Sequence, residues 1–304
     1  MTTFTDALAA GPIVLDGGLG TLLEQRGHDL SSSLWSARLL LEAPEEIRRA
    51  HAEYFAAGAR VAITSSYQVS YEALAAEGQS SADVDALLAL SVRLAREAVD
   101  QAGLGPGEAW VAASIGPYGA SLADGSEYTG AYGLDVEQLR RWHGPRIRAL
   151  ADAGPDVIAV ETVPSLVELE AVCRELEGVG LPAWLSVTVA DGSLRSGDAI
   201  EDAAAIAAGT REVVAAGVNC CDVAEVGGAL AVLREGTGRP GVAYPNSGER
   251  WNADTRRWSG EASHISQLAA QWVADGAGLV GGCCRVGPDQ IAEVARAVAA
   301  SRAR

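Results

Sequence analysis

Three cysteines stand where short apolar runs end. Cys220 closes AAGVNC, and Cys283 and Cys284 close GLVGGCC much further along the chain. Strand ends remote in sequence can meet in space, and three thiolates brought together suit a zinc ion with one tetrahedral position left open. An ion so held takes up a further thiol, lowers its pKa and keeps its sulfur electron-rich, which favours nucleophilic attack over Lewis-acid hydrolysis. A redox dithiol and buried inert cysteines are the competing readings of the same spacing. Cys173, in LEAVCREL, falls inside a helical pattern and reads as a packed core thiol. Cys221 follows Cys220 directly. Successive side chains at a strand end point opposite ways, so one of the two faces the site, and Cys220 is taken as that one.

Two carboxylates also sit at strand ends. Asp16 ends PIVLD and enters GGLGT, which misses the GxGxxG spacing and has no P-loop lysine after it. A carboxylate there can accept bonds from an ammonium group or order the loop. Glu161 ends VIAVE, where it either does chemistry or is held in a structural pair. Thr64, Ser65, Ser66 and Asn219 close other runs and either orient a polar ligand or satisfy strand-end backbone groups. The histidines, His28, His51, His143 and His264, share no ligand spacing. His51 and His143 fall in helical patterns and are expected at the surface or in caps. A histidine general base, a serine-hydrolase elbow and a zinc hydrolase site therefore lack support.

The elements that must position these residues alternate from end to end. Strands are expected at 12–16, 59–65, 110–115, 157–161, 184–189, 216–220, 241–245 and 278–282. Helices are expected at 44–57, 84–102, 136–153, 166–176, 199–208, 225–233, 262–274 and 288–300. Near-continuous apolar runs are what parallel strands covered on both faces show. Eight β/α units in one chain of 304 residues predict an α/β fold, a (β/α)8 TIM barrel, as a single domain over 1–304. An open doubly wound sheet is the competing fold. Two insertions, 116–133 and 246–260, follow the third and seventh strands on the side where a barrel carries its active site.

The formal charge of −17 excludes nucleic acid as a natural partner, because phosphate binding needs basic surface. The five cysteines are an odd number with adjacent pairs, poor material for a disulfide framework, and so predict a reducing, cytoplasmic setting. No run approaches the length of a membrane span, and the first residues lack the pattern of a signal peptide.

The stretches LDGGLGTLLEQRG, ITSSYQVS, SIGPYGASLADGSEYTGAY, AVETVPSLVELEA, GVNC, YPNSGERWNADTRRW and GGCCR together resemble the zinc-dependent homocysteine S-methyltransferases, nearest the branch that uses S-methylmethionine. The resemblance runs from the first strand to the last. It implies a zinc ion held by Cys220, Cys283 and Cys284, with homocysteine bound as thiolate and methylated by a sulfonium donor, S-methylmethionine or S-adenosylmethionine. It further implies that Glu161 receives the homocysteine amino group with Asp16 nearby, that Thr64 lies by the amino acid portion of the ligand, and that Asn219 supports the site. A monomer is expected. Tyr118, Tyr128, Tyr132 and Trp251, in the two insertions, could favour a sulfonium by cation–π contact. Another acceptor thiol, a betaine-type donor and a non-catalytic zinc-binding barrel are the alternatives. The chain departs from the family pattern at GGLGT, where alanines are commoner, at Cys221, where a small hydroxyl residue is common, and at Val286 and Gly287, which replace threonines. These changes near the mouth bear on donor preference.

Overall fold

The computed structural model describes residues 2–28, 35–122, 124–252, 257–259, 263 and 265–302. His264 and the Trp251 side chain lie outside the described residues. Eight parallel strands form the centre: β1 Ile13–Val14, β2 Val61–Ile63, β3 Trp110–Ile115, β4 Val157–Val163, β5 Ala183–Val187, β6 Val213–Asn219, β7 Gly241–Tyr244 and β8 Ala277–Val280. Each pairs with its neighbours in sequence, β8 pairs back to β1, and a parallel bridge from Leu15 to Val61 joins β1 to β2. The sheet therefore closes as a (β/α)8 barrel, and the open doubly wound alternative falls.

The helices that follow the strands are α1 Pro44–Ala56, α2 Ser81–Gln101, α3 Val136–Asp152, α4 Leu166–Leu176, α5 Ile200–Gly209, α6 Val223–Thr237, α7 Ile265–Ala274 and α8 Pro288–Arg302. Side-chain caps set several starts. Ser80 and Asp83 form a capping box before α2, Asp135 and Gln138 another before α3, and Ser165 and Asp222 cap α4 and α6. The Ser80 cap lets α2 begin before its first periodic apolar residue, Val84.

Alternation along the strands divides the apolar side chains into two cores. Leu15, Val61, Ala112, Val157, Ala159, Trp184, Ala215, Val242, Tyr244 and Leu279 fill the barrel. Ile158, Val160, Leu185, Ala216, Val218 and Ala243 pack outward against the helices. Phe4, on the short helix Phe4–Ala10, packs its ring against Trp110 and Trp184 at 6.1 and 6.0 Å and belongs to the inner core. The opposite, carboxyl end of the strands is left for polar residues. The 116–133 insertion there contains the helix Tyr118–Leu122 and a single turn at Ser126–Tyr128, while 246–260 carries an antiparallel pair, Arg250–Asn252 with Arg257–Ser259. Among the described residues no helix is long and apolar enough to cross a membrane.

Candidate active site

On β4, Val157 and Ala159 face the barrel, and Glu161 is the next inward position. The ladder to β5 then slips, with Val160 opposite Leu185 but Val163 opposite Val187. The extra residue is a β-bulge at Glu161–Thr162, and Val163 emerges from it facing the helices. Thr162 takes φ +60°. A β-branched residue in this region costs on the order of 1–3 kcal/mol and persists only where its surroundings fix it. Asn219, at the end of β6, accepts the Thr162 N–H through Oδ1 at 2.7 Å and donates from Nδ2 to Thr162 Oγ1 at 2.9 Å.

Glu161 is buried and held by hydroxyls. Ser114 Oγ donates to its Oε2, and the Tyr244 hydroxyl bonds it as well. Ser114 is locked in turn: its N–H donates to Thr64 Oγ1 at 3.0 Å, and its carbonyl accepts from Ser66 Oγ at 2.8 Å. Thr64 and Ser66 share a further hydroxyl bond of 2.8 Å. Asp16 accepts the Ile63 N–H through Oδ2 at 2.8 Å, while its Oδ1 is buried with no partner.

Among the described residues no standing cation neutralises this pair. His51 Nδ1 lies 3.9 Å from Asp16 Oδ2, too far for a hydrogen bond, and burial holds the ring down at about 4, so it is neutral at pH 7. Burial pushes Glu161 up to about 7, against the pull of the Ser114 and Tyr244 bonds. Burial also raises Asp16 well above the ordinary carboxylate value, with the Glu161 charge adding to it. Two buried carboxylates that resist ionising together, one with an orphaned oxygen, make a place that a ligand cation stabilises.

The sulfur groups meet beside them. The sulfurs of Cys220, Cys283 and Cys284 all lie within 4.8 Å of one another. Cys220 leaves β6 with φ +49°, which turns it away from plain alternation, whereas Cys221 enters the outer core and stays out of the cluster. Cys220 and Cys283 are joined as a disulfide with Cα atoms 5.6 Å apart, and Cys284 is a free thiol. Binding of a metal needs the reduced form. Burial pushes the Cys284 thiol up to about 11, so a thiolate there needs a cation beside it, and three such sulfurs suit a thiophilic divalent ion. The backbone holds the cluster firmly: the Cys283 N–H donates to the Pro245 carbonyl at 2.8 Å and the Cys284 N–H to Asn246 Oδ1 at 3.2 Å.

The 116–133 insertion is anchored from below by charged groups buried in the helix layer. Glu168 accepts the Tyr118 N–H and bonds His143 Nε2 at 2.9 Å. Arg146 donates to the carbonyls of Gly116 and Tyr67 at 3.3 and 3.1 Å and stacks over Trp142 at 4.5 Å. Tyr118 meets both Tyr132 and Trp142 edge-on at 5.2 Å, and the Arg195 guanidinium lies over the Tyr128 ring at 5.5 Å. Glu127 keeps one buried carboxylate oxygen without a hydrogen-bond partner, and its charge acts on Cys284.

Two expectations need correction. His51 and His143 are fully buried rather than at the surface or in caps, because α1 and α3 turn those positions toward the barrel, where one packs near Asp16 and the other pairs with Glu168. Val286 is likewise buried in the outer core. Its carbonyl accepts the Gly18 N–H at 2.9 Å and the Tyr54 hydroxyl at 3.1 Å, so its departure from the family pattern changes packing under the first loop rather than the mouth. Sequence reading passed over Ser114, Tyr244, Glu127, Arg146 and Glu168. A serine inside the apolar run WVAASI was the one local signal among them.

Residues 13–298 match the sequence model of a family described as homocysteine S-methyltransferase. The homocysteine S-methyltransferase YbgG of Bacillus subtilis is 43% identical over 293 residues, covering 93% of each chain. Among solved structures, the metallated form of the homocysteine methyltransferase MmuM from Escherichia coli superposes with a TM-score of 0.83 at 41% identity, covering 94% of this chain and 96% of that one. The oxidized form of the same protein gives 0.84 at 43% identity, covering 93% and 94%.

Proposed function

The chain belongs to the homocysteine S-methyltransferase family and transfers a methyl group to the sulfur of homocysteine; we propose that it does so at a zinc centre held by Cys220, Cys283 and Cys284, with S-methylmethionine as donor and S-adenosylmethionine as a second. The observation that carries this reading is the meeting of three cysteine sulfurs with two buried carboxylates at one end of the barrel. A zinc ion there would lower the pKa of the entering thiol and hold it as a thiolate of high nucleophilicity.

The chain's own residues do the placing. Asp16 Oδ1 and Glu161 receive the homocysteine ammonium, whose charge removes the penalty on both carboxylates. Thr64 lies by the amino acid portion and orders Ser114, which fixes Glu161. Tyr118, Tyr128 and Tyr132, with the unpartnered oxygen of Glu127, offer aromatic faces and negative charge to the sulfonium. The homocysteine sulfur bonds to the methyl carbon as the donor's carbon–sulfur bond breaks and its electron pair returns to the donor sulfur. The acceptor thiol's proton leaves to solvent. The products are methionine and the demethylated donor, which for S-methylmethionine is also methionine. Rate comes from alignment and from the thiolate, and no side chain need attack the methyl group.

This reading has the protein working as a monomeric single-domain enzyme in the cytoplasm, with no nucleic acid or membrane partner. The test is methionine formation by the zinc-loaded, reduced protein from homocysteine with S-methylmethionine, S-adenosylmethionine or betaine, beside Cys284→Ser. Turnover with the sulfonium donors that is lost in the variant is expected. Turnover with betaine alone, or undiminished activity in Cys284→Ser, would overturn it.

A further inference from the structure

The Asn219 side chain, on the inward parity of β6 with Ala215, is engaged within the protein. Both ends of its carboxamide are committed to Thr162, Oδ1 to the N–H and Nδ2 to Oγ1, and the residue is buried at 1% exposure. Thr162 is fully buried, and its hydroxyl also bonds Tyr67. The N–H that Asn219 accepts is the one stranded by the bulge, since β4 and β5 resume their ladder only at Val163 and Val187. Asn219 therefore reaches across β5 from β6 to satisfy a donor that the sheet cannot.

We propose that Asn219 is a positioning residue for the ammonium-binding carboxylate, acting by holding Thr162 in its left-handed conformation and so fixing the peptide that follows Glu161. This inference rests on Glu161 receiving the homocysteine ammonium. A threonine at φ +60° has no intrinsic reason to stay there. Without Asn219 it keeps an unpaired buried N–H and relaxes toward extended backbone, carrying Glu161 off the Ser114 and Tyr244 hydroxyls. Cys220 follows Asn219 with a positive φ of its own, so one carboxamide ties the strand end bearing a metal sulfur to the strand end bearing the carboxylate.

Glycine adopts positive φ without steric cost, and that supplies the test. Steady-state kinetics of the zinc-loaded protein are compared for Asn219→Ala, Thr162→Gly, the double variant and Glu161→Gln. Asn219→Ala is expected to raise the homocysteine KM about tenfold or more, with donor KM and the single bound zinc unchanged, and Thr162→Gly alone is expected to be near wild type. The double variant recovers the part of the loss that comes from backbone strain, because glycine takes positive φ unaided while its N–H stays unpaired. With 4-mercaptobutanoate, an acceptor lacking the amino group, wild type and Asn219→Ala should be equally poor. A homocysteine KM unchanged in Asn219→Ala, or a defect that Thr162→Gly does not relieve, overturns the inference; the second outcome marks a direct substrate contact. Should Asn219→Ala fail to fold, Thr162→Val removes only the Oγ1 bonds and is expected to raise the homocysteine KM several-fold, and an unchanged value overturns the proposal equally. If Glu161→Gln leaves the homocysteine KM unaltered, the ammonium assignment itself fails and takes this inference with it. If Glu161→Gln raises it while Asn219→Ala does not, only the positioning role falls.

Discussion

The indole N–H of Trp184 donates to the Tyr244 hydroxyl over 3.1 Å, so the hydroxyl's own proton is free for Glu161. A hydrogen bond donated to a carboxylate favours its charged form, which is the form that binds an ammonium. Tyr244→Phe should therefore push Glu161 higher than about 7. In the pH profile of kcat/KM for homocysteine, the acid limb should move up by roughly half to one pH unit. An acid limb that stays in place would remove Tyr244 from this role.

The same burial makes Glu161 a cost to the folded state. Its pKa rises on folding from an ordinary 4.5 to about 7, so the folded chain holds the proton more tightly than the unfolded chain. That stability is complete below about pH 4.5 and is lost as the pH climbs through 7. Glu161→Gln removes the titration. Relative to wild type it should gain about 2 kcal/mol of stability between pH 5.5 and pH 8 in urea melts, while the homocysteine KM rises. A difference that does not depend on pH would contradict the account.

Much of this architecture was legible beforehand, and the exceptions share a cause. Trp110–Ile115 was readable to the residue because six apolar or small residues lie between glycine-rich turns. The cysteines, Asp16 and Glu161 stood out because strand ends carry the chemistry of a barrel. The direction of a side chain was not legible in the same way. A continuous apolar run marks a strand covered on both faces but hides which residues face the barrel, so nothing local marks Ser114 and Tyr244 as partners of Glu161. The strand at 157–161 continues to Val163 through a bulge whose N–H is satisfied by Asn219, 57 residues away, and no local pattern announces that. Arg146, His143 and Glu168 follow the same logic: each is a polar residue on a helix, buried because another element brings it a partner.

The first loop answers one departure from the family pattern. A Cβ at Gly18 would stand 2.5 Å from the Cys283 carbonyl oxygen, a backbone atom that cannot swing aside. Gly18→Ala, which restores the commoner residue, should displace the Cys283 loop at a cost of about 1–3 kcal/mol. Competition with a chelator should show zinc affinity lower by about tenfold or more. Affinity equal to wild type would mean that the loop moves without the ligand.

Donor recognition separates from acceptor recognition in the same way. Tyr128→Leu and Glu127→Gln should each raise the S-methylmethionine KM by about three- to tenfold, in keeping with a cation–π or charge contact of about 1 kcal/mol. The homocysteine KM should hold. If donor kinetics are unchanged in both variants, the sulfonium lies elsewhere on the barrel mouth.

The claim on which the rest depends is that homocysteine places its sulfur on a metal already held by three cysteines. Zinc K-edge X-ray absorption of the reduced, zinc-loaded protein, recorded with and without homocysteine, counts those sulfurs directly. Three sulfur ligands alone, becoming four when homocysteine is added and two in Cys284→Ser, is the predicted result. A sulfur count that homocysteine leaves unchanged, in protein that still turns over, would contradict the account and place thiol activation away from the metal.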